Sequence, residues 1–206
     1  MDTCKEKKIL YINACVRGEA SRTAQIANTF FDELEKAHPE AVVTEKNLML
    51  LNPLFLNYFS FKQREELLKA GNYSHATFSL ANEFAAADEI VIAAPFWDLS
   101  FPAVLRTYLE NVSIAGISFE VTAEGYRGLC TAKRLVFITT RGGIYSKPPQ
   151  SHTELGASYI RALSAMFGIE SFECIAAEGL DIEGADVQAL VKTAQEQARA
   201  SAQKSI

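Results

Sequence analysis

Short apolar runs alternate with amphipathic segments along nearly the whole chain. The strand-like runs fall at residues 9–13, 41–44, 89–94, 135–139 and 172–176. Between these runs, apolar residues recur at helical spacing, as they do at Ala27, Phe30 and Leu34. Strands that alternate with helices favour right-handed crossovers, a parallel sheet and helices on both of its faces. The pattern therefore predicts an α/β fold, a doubly wound three-layer sandwich with a five-stranded parallel sheet.

Local signals add two details to this prediction. Residues 117–121 and 127–131 flank the turn sequence Ala123-Glu124-Gly125, which indicates a small hairpin outside the main sheet. Ser100 is expected to cap a helix that carries Pro102 in its first turn.

Size and charge limit the kinds of partner. A chain of 206 residues, 49% of them hydrophobic, suits one domain that spans 1–206. A formal charge of -5 argues against nucleic acid, whose binders concentrate Lys and Arg on one face. The apolar runs are far shorter than the roughly 20 residues that cross a bilayer, and the charged start of the chain has no signal-type apolar region. We expect a cytoplasmic protein that binds neither nucleic acid nor membranes.

Four cysteines are scattered along the chain, at Cys4, Cys15, Cys130 and Cys174. They form no CxxC pair and have no histidine nearby. This spacing suits neither a disulfide framework nor a zinc site. We expect free thiols and no metal.

The loop at residues 14–23 follows the first strand. Ligands of doubly wound sheets bind at the carboxyl ends of the strands, so the loops at 14–23, 95–100 and 140–146 are the places to search. Ser21, Arg22 and Thr23 open a helix and resemble a phosphate cradle. A purely structural role for Ser21 as a helix cap explains the same residues. The chain has neither a GxGxxG nor a GxxxxGK[ST] sequence, which disfavours a dinucleotide-binding dehydrogenase or a P-loop enzyme.

The loop after the third strand is rich in aromatic and apolar residues. It reads Pro95, Phe96, Trp97, Asp98 and Leu99, and it holds the only tryptophan of the chain. A flat ring system such as isoalloxazine needs an aromatic or apolar wall on one face. Aromatic residues that only cover the core are the alternative.

The loop after the fourth strand carries two consecutive glycines. Thr140, Arg141, Gly142 and Gly143 let the backbone approach a ligand closely and leave N–H groups free to donate. A reduced flavin gains negative charge at its N1–C2 carbonyl edge, which such donors and Arg141 would stabilise. Taken alone, the sequence is that of a tight turn. The three loops together favour a flavin.

Four motifs in order resemble the FMN-dependent NADH-azoreductase family of flavodoxin-like quinone reductases. They are KILYINAC...SRT, VIAAPFWDLSFPAVLRTYLENV, AGISFEVTAEGYRGL and VFITTRGGIY, and the similarity runs nearly end to end. The resemblance implies a flavodoxin-like fold and an enzyme that takes hydride from NADH or NADPH. The two electrons would pass to a quinone or azo acceptor in a ping-pong reaction, with no catalytic side chain because the flavin carries the chemistry.

The resemblance also implies positions for the cofactor. Cys15 and residues 21–23 would hold the phosphate and ribityl chain, residues 95–99 would form the isoalloxazine wall, and residues 140–143 would hold the pyrimidine end. Members of the family are homodimers, so residues 48–60 and 117–128 would complete the pocket of the partner. Two residues depart from the family pattern, Cys15 where serine is common and Asp98 where asparagine is usual.

Two other functions remain open at this stage. A non-catalytic electron-transfer flavodoxin would use similar loops, although such proteins are usually more acidic than this chain. A cysteine phosphatase would use Cys15 as the nucleophile, but Cys15 lies seven residues before Arg22, where the phosphatase spacing requires six.

Overall fold

The computed structural model describes residues 6–51 and 53–205. Its strands are, in chain order, β1 (Lys7–Asn13), β2 (Ala41–Asn47), β3 (Glu89–Ala93), β4 (Phe119–Thr122), β5 (Gly125–Gly128), β6 (Arg134–Thr140) and β7 (Ser171–Ala177). Five of them form a parallel sheet in the order β2-β1-β3-β6-β7. The predicted doubly wound five-stranded fold is confirmed.

The described residues form seven α-helices, six of them between strands and the seventh after the last strand. They are α1 (Arg22–Ala37), α2 (Leu48–Leu51), α3 (Tyr58–Lys69), α4 (Ser79–Ala86), α5 (Ala103–Val112), α6 (Gly156–Met166) and α7 (Val187–Ala202). Ser21 caps α1 by accepting a hydrogen bond from Ala24 N, and Asp186 caps α7 in the same way from Ala189 N. Both capping residues are of the types that helix N-termini prefer.

A hydrophobic core lies on each face of the sheet. Successive side chains of a strand point to opposite faces, and β3 divides accordingly, because Val91 belongs to the core under α1 and α7 while Ile90 and Ile92 belong to the other. The second core includes α5 and α6. All five residues of β3 are buried, as expected for a central parallel strand.

The register of the sheet aligns the carboxyl ends of the strands. Asn13 pairs with Ala93, and Ala93 in turn pairs with Ile138. Thr140 pairs with Ala177 at the far side. The loops that follow β1, β3, β6 and β7 therefore leave the sheet at one edge, which is where the sequence predicts the site.

The two local details have different outcomes. The predicted hairpin is present as the antiparallel pair β4–β5. The predicted cap at Ser100 is wrong, because α5 begins at Ala103 with Pro102 in the capping position and no side-chain cap bond. Ser100 instead closes a turn with Trp97.

The described residues include no helix long and apolar enough to cross a membrane. Cys15, Cys130 and Cys174 are free thiols, while Cys4 lies outside the described residues. Within residues 6–51 and 53–205, no three His, Cys, Asp or Glu side chains are grouped so that they could hold a metal.

Candidate functional site

Four strand-end loops enclose one cleft at the carboxyl edge of the sheet. The cleft holds about 610 Å³ of space, including the part that is open to solvent. Its lining residues are Arg17, Ala20, Ser21, Arg22, Pro95, Phe96, Trp97, Thr140, Arg141, Gly142, Leu180 and Asp181. It lies where the chain switches from one side of β1 to the other, the position at which ligands bind in sheets of this kind.

The loop after β1 brings positive charge to the cleft. Arg17 and Arg22 both line it, and the amides of Arg22 and Thr23 open α1 without an acceptor among the described residues. Unpaired amides at the start of a helix attract anions, and the helix dipole adds to that effect. This loop is suited to a phosphate group.

Two of the predicted phosphate residues lie beneath the cleft, and neither lines it. Cys15 is 3% exposed, and its thiol points to the carbonyl of Ala93 at 3.7 Å. Burial raises the pKa of the Cys15 thiol to about 11, against a smaller opposing effect of a hydrogen bond with Ser21. Thr23 is fully buried, and its hydroxyl is 2.7 Å from that of Thr140. Cys15 is therefore protonated and shielded, which argues against a phosphatase nucleophile.

The loop after β3 contains a tight turn from Trp97 to Ser100. Trp97 and Ser100 exchange backbone hydrogen bonds of 3.2 and 2.7 Å. The two residues between them, Asp98 and Leu99, have φ values of 48° and 65°. Left-handed backbone is tolerated by aspartate but is costly for leucine. Such strain often marks a functional position, and it leaves the amides of Asp98 and Leu99 without acceptors among the described residues.

An aromatic wall stands beside this turn. Phe96 packs on Tyr145 with ring centroids 4.5 Å apart, and the Arg141 guanidinium lies 5.6 Å from the centre of the Phe96 ring. The backbone amide of Phe96 donates to Thr140 O at 3.0 Å, which fixes this loop to the next one. Trp97 is 41% exposed. The wall offers apolar surface for a flat ring system.

The loop after β6 supplies free amides. Neither Gly142 N nor Gly143 N donates to an acceptor among the described residues. A Cβ on Gly142 would collide with the carboxylate of Asp181, and one on Gly143 would come within 3.1 Å of the Tyr145 ring. A side chain at either glycine would therefore crowd a neighbouring side chain, and the two amides remain available to a ligand.

The predicted role of Arg141 needs refinement. Arg141 lines the cleft, but its side chain is nearly fully buried, and the guanidinium pairs with Glu154 at 3.1 Å and Glu178 at 2.7 Å. The Nε atom has no partner among the described residues. Burial alone would raise the pKa of the Glu178 carboxyl, but hydrogen bonds from Ser146, Arg141 and Tyr145 hold it below its usual value.

A fourth loop, after β7, is part of the cleft and was missed by the sequence analysis. Leu180 and Asp181 donate backbone hydrogen bonds to Arg141 O and Gly142 O, so this loop lies against the glycine turn. Asp181 also pairs with Arg22 at 3.7 Å across the cleft. The signal was available, because residues 178–181 follow a strand that the sequence predicts, and the strand-end argument applies to them equally.

Of the thirteen predicted cofactor-binding residues, eight line the cleft, namely Ser21, Arg22, Pro95, Phe96, Trp97, Thr140, Arg141 and Gly142. The other five are Cys15 and Thr23 beneath it, Asp98 and Leu99 in the turn beside it, and Gly143, which follows the lining residue Gly142 in the chain. These positions fit the FMN that the resemblance implies. A phosphate suits the arginines and free amides of α1, and a flat ring suits the aromatic wall and the amides of the glycine turn.

Comparisons with known proteins agree with this geometry. The sequence model of a family described as having a flavodoxin-like fold matches residues 7–202. The chain is 37% identical over 198 residues to the FMN-dependent NADH:quinone oxidoreductase 2 of Clostridium acetobutylicum, covering 96% of this chain and 98% of the relative. It is 38% identical over 192 residues to the FMN-dependent NADH:quinone oxidoreductase of Lachnoclostridium phytofermentans, covering 93% and 96%. The crystal structure of an azoreductase from Bacillus anthracis superposes with a TM-score of 0.84 at 26% identity, covering 96% of this chain and 99% of that one.

Proposed function

This chain belongs to the family of proteins with the flavodoxin-like fold, and we propose that it is an FMN-dependent NAD(P)H oxidoreductase that reduces quinones or azo compounds. FMN, when bound, supplies the two-electron chemistry, accepting hydride from NADH and passing it to the acceptor. The protein supplies binding, orientation and the surrounding charges.

One observation carries the proposal. A single cleft combines two arginines and a helix N-terminus with the exposed Trp97, the Phe96 ring and the free amides of the glycine turn. The first group matches a phosphate and the second matches a flat, polar-edged ring. Relatives that match nearly end to end are named for FMN, NADH and quinone.

Different residues of this chain would bind different parts of FMN. Arg17, Arg22 and the first amides of α1 bind the phosphate, while Pro95, Phe96 and Trp97 support one face of the ring. The amides of Gly142 and Gly143 donate to the edge that becomes negative on reduction, which favours the reduced cofactor. Cys15 and Thr23 support these residues from below.

A second copy of this chain is part of the proposal. Four apolar side chains of the segment 48–60 are more than 70% exposed, namely Leu50 (84%), Phe55 (71%), Tyr58 (73%) and Phe59 (79%). Exposed apolar side chains at this density in one short segment usually mark an interaction surface. We propose that this segment and the β4–β5 hairpin, where Val121 and Tyr126 are 69% and 68% exposed, bury against the partner in a homodimer.

Organisation and location complete the proposal. The described residues form one five-stranded sheet with a core on each face, together with the small β4–β5 hairpin. This arrangement supports a single FMN-binding domain over 1–206. A cytoplasmic location suits an enzyme that depends on NADH and contains free thiols.

The test is direct. Purified protein is mixed with FMN and desalted, its absorbance is recorded, and NADH is added without oxygen, followed by a quinone. Retained flavin bands that bleach with NADH and return with the quinone would support the proposal. Failure to retain FMN would refute it, and FMN that is retained but not reduced by NADH would favour an electron-transfer flavodoxin instead.

A matched pair of variants locates the site. Arg22→Ala removes a charge from the cleft and should weaken FMN binding by roughly 10- to 150-fold, since a charge-assisted contact to phosphate contributes about 1.5–3 kcal/mol. Lys36→Ala removes the same charge at the other end of α1, where its side chain is 74% exposed, and should leave binding unchanged. Equal effects of the two variants would mean that the phosphate lies elsewhere.

A further inference from the structure

Arg141 lines the cleft, and its side chain forms a buried bridge with two carboxylates. Its Nη2 lies 3.1 Å from Glu154 Oε1, and its Nη1 lies 2.7 Å from Glu178 Oε1. The side chains of Arg141, Glu154 and Glu178 are 5%, 10% and 15% exposed. We call this group the carboxylate bridge.

Each carboxylate also accepts hydrogen bonds from backbone amides of another structural element. Glu154 accepts from Ala157 N at 2.8 Å and from Ser158 N at 3.3 Å, so it caps the start of α6. Glu178 Oε1 accepts from Tyr145 N at 3.0 Å, at the far end of the glycine turn. The bridge therefore connects α6 to the loops that follow β6 and β7.

The bridge also fixes the aromatic wall. Arg141 lies 5.6 Å from the Phe96 ring on one side, and Tyr145 packs against the same ring at 4.5 Å. Glu178 bonds both to Arg141 and to the Tyr145 amide, so it holds two of the residues that contact Phe96. Gly142 and Gly143 lie between Arg141 and Tyr145 in the chain, so both ends of their turn are anchored to one carboxylate.

The charge of the bridge argues against a direct electrostatic role for Arg141. One guanidinium faces two carboxylates, which leaves no surplus positive charge to act on a cofactor. Breaking a buried pair, however, leaves an uncompensated charge and displaces the groups it held. Arg141 can therefore act on the cofactor chiefly through the position of the glycine amides and of Phe96.

We propose that Arg141, clamped by Glu154 and Glu178, is a positioning residue that aims the Gly142 and Gly143 amides and the Phe96 ring at the flavin ring system. This inference rests on the proposed function. It assigns Glu154 and Glu178 a role in cofactor affinity, although neither needs to touch the cofactor.

The chain provides a matched control at the opposite end of the same two strands. Arg134 on β6 pairs with Glu173 on β7 at 2.6 Å, and the Arg134 side chain is 8% exposed. This second ion pair lies at the amino edge of the sheet and contacts none of the cleft loops. Glu173→Gln therefore tests what the loss of a comparable Arg–Glu pair does to stability alone.

The experiment compares Glu178→Gln, Glu173→Gln, Arg141→Lys and Arg141→Met with the wild type. For each protein, the melting temperature of the apoprotein, the Kd for FMN from fluorescence quenching and the reduction potential of bound FMN are measured. We expect both glutamine variants to lower the melting temperature, but only Glu178→Gln to weaken FMN binding, by roughly tenfold. Arg141→Lys should retain part of the affinity that Arg141→Met loses, because lysine keeps one of the two ion pairs.

The outcomes separate the inference from the function on which it rests. Wild-type protein that fails to retain FMN would refute both. If the wild type binds FMN and the Kd of Glu178→Gln equals that of Glu173→Gln, the positioning role is overturned. The proposed function is then unaffected. The positioning role is also overturned if Arg141 acts on the flavin directly through its charge. In that case the reduction potential of bound FMN shifts in opposite directions in Glu178→Gln and Arg141→Met, while the Kd for FMN stays unchanged.

Discussion

The hydroxyl of Thr23 lies 2.7 Å from the hydroxyl of Thr140. Thr23 is on the first turn of α1 and Thr140 ends β6, so this hydrogen bond connects the loop suited to phosphate with the loop suited to the ring edge. Thr23 is fully buried. The contact fixes the distance between two parts of the cleft that are 117 residues apart in the sequence.

Removing the Thr23 hydroxyl should destabilise the fold. Thr23→Val keeps the shape but leaves the Thr140 hydroxyl without this partner, at a cost of about 1–2 kcal/mol in the free energy of unfolding. Thr29→Val is the control, because Thr29 lies on the same helix and bonds only to Gln25 O one turn back. Urea unfolding measures the free energy of unfolding of both variants. An equal cost for the two variants would show that the Thr23–Thr140 bond contributes nothing specific.

Cys15 should be unreactive in the folded protein. With a pKa of about 11, roughly one thiol in 3,000 is ionised at pH 7.5, and the side chain is almost inaccessible. Native protein treated with iodoacetamide at pH 7.5 should therefore show no label on the Cys15 peptide by mass spectrometry, whereas denatured protein should be labelled. Cys15→Ser should keep its FMN affinity within about threefold. Rapid native labelling, or hydrolysis of an aryl phosphate lost in Cys15→Ser, would restore the phosphatase reading.

Leu99 should show the cost of a left-handed backbone. Its φ of 65° is unfavourable for leucine by about 1–2 kcal/mol. Leu99→Gly should therefore be as stable as the wild type or more so, while Leu99→Val should lose about 1–2 kcal/mol, because a β-branched residue fits this region worst. Urea unfolding of the apoproteins gives the free energy of unfolding of the wild type and of both variants. Equal stability of the glycine and valine variants would mean that this turn has a different backbone in solution.

The sheet could be predicted from the sequence because each strand is a short apolar run with a helix after it. The strand ends then located three of the four loops of the cleft, including the Phe96 wall and the Gly142–Gly143 turn. The predicted cap at Ser100 was wrong, because α5 begins only at Ala103 and the starting residue of a helix depends on tertiary contacts that the sequence does not show. Ser100 is held by Trp97 instead.

Side-chain direction was the part that the sequence could not provide. A cysteine or threonine in a loop looks available, but Cys15 points to Ala93 O and Thr23 to Thr140. Arg141 likewise looks free, because its partners Glu154 and Glu178 lie 13 and 37 residues away in the sequence. No spacing rule connects residues whose contact depends on strand order.

The exposed aromatic segment should control self-association. Phe59→Ser replaces a side chain that is 79% exposed, so the monomer should keep its stability while the proposed dimer weakens at least tenfold. Val42→Ser, at an exposed position on the edge strand β2 (45%), is the control. Sedimentation across a range of concentrations gives the dissociation constants. A monomeric wild type, or an equal shift in both variants, would refute the proposed interface.

Acid should reveal the contribution of Glu173 to stability. Burial alone would raise the pKa of its carboxyl, but hydrogen bonds from Arg134 and Ser201 hold it below the usual value. The ionised group is therefore favoured in the folded state, and this stabilisation is complete above the unfolded pKa of about 4.3. It is lost as the pH falls through the lower pKa of the folded protein.

The wild type should thus exceed Glu173→Gln in stability at pH 6 by no more than about 1 kcal/mol, since solvent screens a side chain that is 35% exposed. Urea unfolding at pH 6 and pH 3 should show this difference shrinking at the lower pH, and a difference that does not change with pH would mean that the Arg134–Glu173 pair does not favour the ionised carboxyl.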